Sequence, residues 1–151
     1  MEDFCANHCT LKEDGLYNNK TGARVRALGV VHVFGNMADM PRLLDIARRY
    51  KLVLIEDATE ALGTRYTAGP LAGKAAGTMG DIGCYSFNGN KIMTTGAGGF
   101  VVSNHADWAE HAKHLSTQAK ADMLQFLHDE VGYNYRMTNV QACLGLAQLE
   151  R

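Results

Sequence analysis

The sequence has almost no surplus of charge: 15 lysines and arginines against 16 aspartates and glutamates leave a formal net charge of −1. A basic field of the kind that holds nucleic acid or an anionic membrane is therefore missing. Long apolar runs are missing too; none approaches the roughly 20 residues of a membrane-spanning helix. The opening residues Met1-Glu2-Asp3-Phe4 are acidic, unlike the positively charged start of an export signal. Four cysteines, Cys5, Cys9, Cys84 and Cys143, follow no paired spacing. Reduced thiols and a cytoplasmic location are the expectation. Cys5, His8 and Cys9 lie at helical spacing but match no zinc class and have no evident fourth ligand. The glycine-rich run Gly96–Gly99 lacks the G-x-G-x-x-G pattern and opens no clear helix, which argues against a dinucleotide loop.

What is present reads as an α/β protein. With 151 residues, 46% of them hydrophobic and 21% charged, the chain has one domain's worth of core-forming sequence. Turn signals at Asp14-Gly15 and 18–22 predict a short hairpin between Leu16-Tyr17 and 23–25. Residues 24–34 read as a strand whose second half is continuously apolar except for His32. His32 has no visible partner and is expected to be a satisfied core histidine. Asp39 is a candidate N-cap, with Pro41 in the first turn of a helix that runs to about Tyr50 and ends in Arg48, Arg49 and Lys51. Leu52 to Glu56 is a second buried strand, which completes a βαβ unit. Residues 64–80 form a glycine-rich loop or irregular hairpin. Ile82–Phe87 and Phe100–Val102 are further strands, and 107–115 is a helix. Thr138, with Gln141 three residues on, opens a last helix with a capping box.

Two residues carry the chemistry. In open α/β sheets ligands bind at the carboxyl ends of the strands, and Asp57 ends one strand. Lys91 lies in the Asn- and Gly-rich turn that follows another, where glycines on both sides allow a flat ligand to come close. An aspartate and a lysine so placed are the polar pair that pyridoxal phosphate needs. The amine condenses with the aldehyde, and the carboxylate pairs with the pyridinium nitrogen. Lys74 is a weak rival, because no buried strand precedes it. Glu60, three residues past Asp57, falls on the same side of a helical turn. His111 and His114 sit at i, i+3, a spacing metals can use, but carry no acidic metal-site signature and read as surface residues.

The blocks Ile-Glu-Asp-Ala-Thr-Glu-Ala-Leu-Gly (55–63), Gly-Asp-Ile-Gly-Cys-Tyr-Ser-Phe-Asn-Gly-Asn-Lys (80–91), Thr-Thr-Gly-Ala-Gly-Gly (94–99) and Gly-Tyr-Asn-Tyr-Arg-Met-Thr-Asn-Val-Gln-Ala (132–142) together resemble the sugar aminotransferases of the DegT/DnrJ/EryC1/StrS family. Val31–Asn36 and Glu56–Glu60 look closest to members that aminate 4-keto-6-deoxy nucleotide sugars for bacterial surface glycans, as in legionaminic acid pathways. The resemblance implies a fold-type-I, aspartate-aminotransferase-like large domain, with a mostly parallel sheet flanked by helices. It implies that Lys91 carries pyridoxal 5′-phosphate and that Asp57 holds the ring nitrogen. It also implies that Ser86 and Asn134 anchor the phosphate, Asn134 from the neighbouring subunit of a homodimer, and that Glu60 contacts the ring. Arg136 would order its loop or bind anionic groups. The substrates implied are an amino-acid donor, glutamate, and the keto group of a nucleotide-linked sugar.

Family members are more than twice as long. Residues 1–20 are therefore expected to be an irregular or helical lead-in, and 21–151 the central part of the large domain, without its phosphate-binding N-terminal part or the small C-terminal domain. The alternatives are a piece that is catalytically incomplete by itself and a non-enzymatic module of the same fold. A binding module, however, needs neither Lys91 nor Asp57.

Overall fold

A computed structural model describes residues 1–122 and 124–150. The chain begins with helix α1 (Glu2–Asn7) and strands β1 (Cys9–Lys12), β2 (Gly15–Asn18) and β3 (Arg24–Val25), which form a small antiparallel sheet in that order. The expected pairing of Leu16-Tyr17 with 24–25 is present. Cys5 and Cys9 are buried in the apolar core beside Leu16, so they pack rather than ligate.

The main sheet has the order β4-β5-β6-β7, from β4 (Ala27–Val31), β5 (Val53–Asp57), β6 (Ile82–Ser86) and β7 (Gly99–Ser103). The first three strands are parallel and β7 is antiparallel to β6. The strand expected over 24–34 is in fact broken. Arg24–Val25 joins the small sheet, β4 ends at Val31, and Val33–Gly35 makes a tight turn in which Phe34 and Gly35 are left-handed. The apolar run continued past the strand because Val33 and Phe34 are apolar yet exposed, at 51% and 87%. Periodicity alone does not separate such residues from a buried strand.

Helix α2 (Met40–Tyr50) is built as its sequence suggests. Asp39 accepts a hydrogen bond from the Arg42 amide at 3.3 Å, and Lys51 closes the helix in the left-handed conformation. Met40, Ile46 and Ala47 face the sheet and meet Leu28, Leu52 and Leu54. Burying an aliphatic side chain of this kind contributes about 1.5–3 kcal/mol, so this stripe fixes the helix on one face of the sheet. β5 alternates accordingly: Leu54 and Glu56 are buried under that face, and Ile55 and Asp57 lie on the other.

Helix α3 (Ala106–Ser116) packs along β7, with Trp108, Ala112 and Leu115 half-buried. The short strands β8 (Lys120–Asp122) and β9 (Leu127–His128) follow. Helix α4 (Asn139–Leu149) opens with the expected capping box, in which Thr138 and Gln141 exchange hydrogen bonds. No helix among the described residues is long and apolar enough to cross a membrane.

Candidate functional site

The carboxyl ends of β4, β5 and β6 bring the chemistry-bearing residues together. Asp57 is the last residue of β5, level with Val31 on one side and Cys84 on the other. Its Oδ1 accepts the Thr59 amide at 3.1 Å, which tightens the turn leading to Glu60. Its Oδ2 has no hydrogen bond among the described residues and remains able to accept one. Burial pushes the Cys84 thiol up from its ordinary pKa, and the negative charge of Asp57 pushes it in the same direction.

Ser86 ends β6, and its hydroxyl oxygen accepts the Asn88 amide at 3.2 Å, which leaves its proton free to be donated. The chain then turns, with the Lys91 amide bonded to the Asn88 carbonyl at 3.0 Å. The Lys91 side chain is only 17% exposed, and its ammonium lies 3.6 Å from Glu60 Oε1. Glu60 Oε2 accepts the Phe34 amide at 2.8 Å. One carboxylate thus ties the loop after β4 to the lysine after β6. Lys74, the weaker rival, is exposed on the 64–80 loop.

Asn134 stands apart from this group. It is exposed, bridges to Thr117 and takes a weak contact from Arg136 Nε at 3.4 Å. Its segment is pinned to the end of α3 by backbone hydrogen bonds from Tyr133 and Tyr135 to Leu115 and Ser116. Among the described residues it makes no hydrogen bond to Asp57, Glu60, Ser86 or Lys91.

Two features were not legible as partners in the sequence. His32 and Glu56 are both fully buried, with Nε2 to Oε2 at 2.9 Å. The Ala38 amide donates to His32 Nδ1 at 3.2 Å, so the ring proton sits on Nε2 and points at Glu56. The Glu56 carboxylate also accepts the amides of Gly77, Met79 and Gly80. It therefore moors the 64–80 loop beneath the sheet. The available clue was strand alternation: Glu56 and Asp57 are neighbours, so only one of them can face the site, and the other needs buried donors.

The second feature concerns His111 and His114, which lie at the surface as expected but are paired there. They meet Glu130 at 2.8 Å and Asp129 at 2.7 Å across the loop. The hydrogen bond from His114 holds the Asp129 carboxyl below its usual range. These pairs clasp the segment that carries Asn134 to α3.

The donor set fits pyridoxal phosphate. It offers a mostly covered primary amine, a carboxylate oxygen free to accept, and a hydroxyl proton free to donate, all at the ends of adjacent parallel strands. A cavity of about 640 Å³ lies between β6, β7 and α3 and is bordered by Cys84, Tyr133 and Tyr135.

Residues 6–151 match the DegT/DnrJ/EryC1/StrS aminotransferase family, and the chain belongs to that family. It is 45% identical over 128 residues to the GDP-perosamine synthase of Caulobacter vibrioides, an alignment that covers 85% of this chain and 33% of the relative. It is 35% identical over 134 residues to the UDP-4-amino-4,6-dideoxy-N-acetyl-beta-L-altrosamine transaminase of Campylobacter jejuni, covering 87% of this chain and 34% of the relative. Among solved structures, the aminotransferase TlmJ from Streptoalloteichus hindustanus superposes with a TM-score of 0.77 at 31% identity, covering 87% of this chain and 35% of that one. The chain spans about one third of the length of the curated relatives it matches. The fold is that of fold-type-I sugar aminotransferases, and enzymes of this family depend in general on pyridoxal phosphate.

Proposed function

We propose that the protein of which these 151 residues form the central part of the large domain transfers an amino group, from glutamate, to the keto group of a nucleotide-linked 4-keto-6-deoxy sugar. The observation that carries this reading is the covered Lys91 amine facing Glu60 at 3.6 Å, with Asp57 and Ser86 ending the two adjacent strands. Relatives named for a GDP-linked and a UDP-linked product support a nucleotide-sugar acceptor.

The cofactor, when bound, supplies an electron sink that loosens a C–H bond next to the amino nitrogen. The other tasks belong to this chain. Lys91 would hold the cofactor through Nζ. With its amine free, that same nitrogen would take the proton from the donor's Cα, because it stays tethered within reach. Asp57 Oδ2 would accept the ring N–H and keep the ring cationic. Ser86 would donate to the phosphate, and Asn134 would do so across a homodimer. Glu60 holds the ammonium of Lys91 and would meet the ring edge. The expected location is the cytoplasm, where nucleotide sugars are available.

A second reading, that this chain is catalytically incomplete unless further chain closes the site, is favoured by its spanning about one third of its relatives' length. One experiment addresses both. The purified chain is mixed with pyridoxal phosphate, its visible spectrum is recorded beside Lys91→Ala, and borohydride-trapped adducts are mapped by mass spectrometry. A yellow adduct trapped on Lys91 alone supports a formed site. Labelling spread over surface lysines, unchanged in Lys91→Ala, would show that this chain by itself is not the enzyme.

A further inference from the structure

His111 and His114 stand one turn apart on α3, and the fold brings to them two carboxylates from outside the helix. His111 Nε2 lies 2.8 Å from Glu130 Oε1. His114 Nε2 lies 2.7 Å from Asp129 Oδ1 and 3.7 Å from that same Glu130 oxygen. One ligand atom each from His114, Asp129 and Glu130 fall within 4.8 Å of one another. The Glu130 oxygen is shared between two imidazoles, so four ligand groups meet in one place.

The frame that holds them is made by this chain itself. Helix α3 packs on β7. Just past its end, the Ala119 amide donates to the His114 carbonyl at 2.9 Å, and the Asp129 amide donates to the Ala119 carbonyl at 3.2 Å. Ala119 is fully buried and left-handed at φ 50°. On the far side of the carboxylates, the Tyr133 amide donates to the Leu115 carbonyl at 2.7 Å. Asp129 and Glu130 are therefore tied to the helix end from before and after by main-chain bonds, not only by their own side-chain pairs. Ligands already gathered cost little to order when an ion arrives.

Zinc takes imidazole nitrogen and carboxylate oxygen at about 2.0–2.2 Å, so two ligand atoms of a tetrahedral site stand about 3.3–3.6 Å apart. The two hydrogen-bonded pairs, at 2.7 and 2.8 Å, need to open by only about 0.6 Å to reach that spacing, and the third separation, 3.7 Å, is already there. Two imidazoles with two carboxylates suit zinc, whereas magnesium and calcium favour oxygen ligands throughout.

We propose that His111, His114, Asp129 and Glu130 form a zinc site that staples the segment carrying Asn134 to α3. Without the cation, the same four groups are joined by the hydrogen bonds described above. The assignment does not depend on the amino-transfer reading.

The test uses the complete gene product, untagged and stripped with a chelator, titrated with zinc chloride in a calorimeter. The expected result is one saturable site per chain with a Kd of about 1 μM or tighter, a thermal midpoint raised by zinc, and no such response to magnesium or calcium. His114→Gln and, separately, Glu130→Gln should each weaken binding by about 100-fold or more, because loss even of a group behind a ligand costs about 10–100-fold. Glu130→Gln keeps the shape of an exposed side chain, so a weakened site in it is not a folding defect. His128, whose Nδ1 is turned to the Gln118 carbonyl at 2.6 Å, is the control, and His128→Gln should bind as the parent does. No saturable zinc site below about 100 μM, an affinity within about threefold of the parent's in both ligand variants, or an equal loss in His128→Gln overturns the assignment.

Discussion

Replacing Glu56 by glutamine keeps the shape of the side chain and changes only which atoms accept. In the parent, Oε1 takes the Met79 amide at 2.6 Å and the Gly80 amide, while Oε2 takes the Gly77 amide at 2.8 Å and His32 Nε2 at 2.9 Å. A glutamine must put its NH2 in one of these places, so two donors then face a donor. His32 cannot answer by moving its proton to Nδ1, because that atom accepts the Ala38 amide. A buried donor left without a partner costs about 1–3 kcal/mol, and two give about 2–6 kcal/mol. With a urea slope of about 2 kcal/mol per molar, the unfolding midpoint falls by roughly 2 M. The damage is also local. In hydrogen exchange, the amides of Gly77, Met79 and Gly80 lose protection before those of β5 and β6 do. A midpoint within about 0.3 M of the parent, with unchanged exchange at those amides, would refute the claim that Glu56 moors the loop.

Three further outcomes follow from the same geometry. Gly83→Ala puts a Cβ 1.8 Å from the Gly77 carbonyl oxygen, backbone against backbone; it should lower the thermal midpoint markedly, at a cost of about 3 kcal/mol or more, and a midpoint like the parent's would show that the loop yields freely. Asp57→Asn removes the charge that helps to raise the Cys84 thiol; its pKa should fall, so Cys84 alkylates faster than in the parent at the same pH, and an unchanged pH–rate profile would mean the two groups do not sense each other. The Asp129 carboxyl is held below its usual value by His114, so its tie is fully present above pH about 4 and is lost as pH falls through the depressed value. Near-ultraviolet circular dichroism of the stacked Tyr133 and Tyr135, whose ring centres are 5.1 Å apart, should change over that acid window. Asp129→Asn should abolish the change, and a variant that keeps it would point to another carboxylate.

The local features of this protein are determined by its sequence alone. The N-cap at Asp39, the basic end of α2 and the Thr138–Gln141 box depend on neighbours in the chain, and such short-range hydrogen bonds are legible from spacing. The buried strand ending at Asp57, the Lys91 turn, and hence the α/β class and the kind of chemistry, are legible for the same reason. Only the tertiary structure decides which separated residues meet. It breaks the apolar run over 24–34 between two sheets, turns Glu56 under the sheet to His32 and three loop amides, brings Asp129 and Glu130 to the α3 histidines, and ties the Phe34 amide to Glu60. The last three are contacts between residues 15 or more positions apart. Hydrophobicity and local propensity carry no record of such pairings; strand register and the packing of α2 and α3 create them.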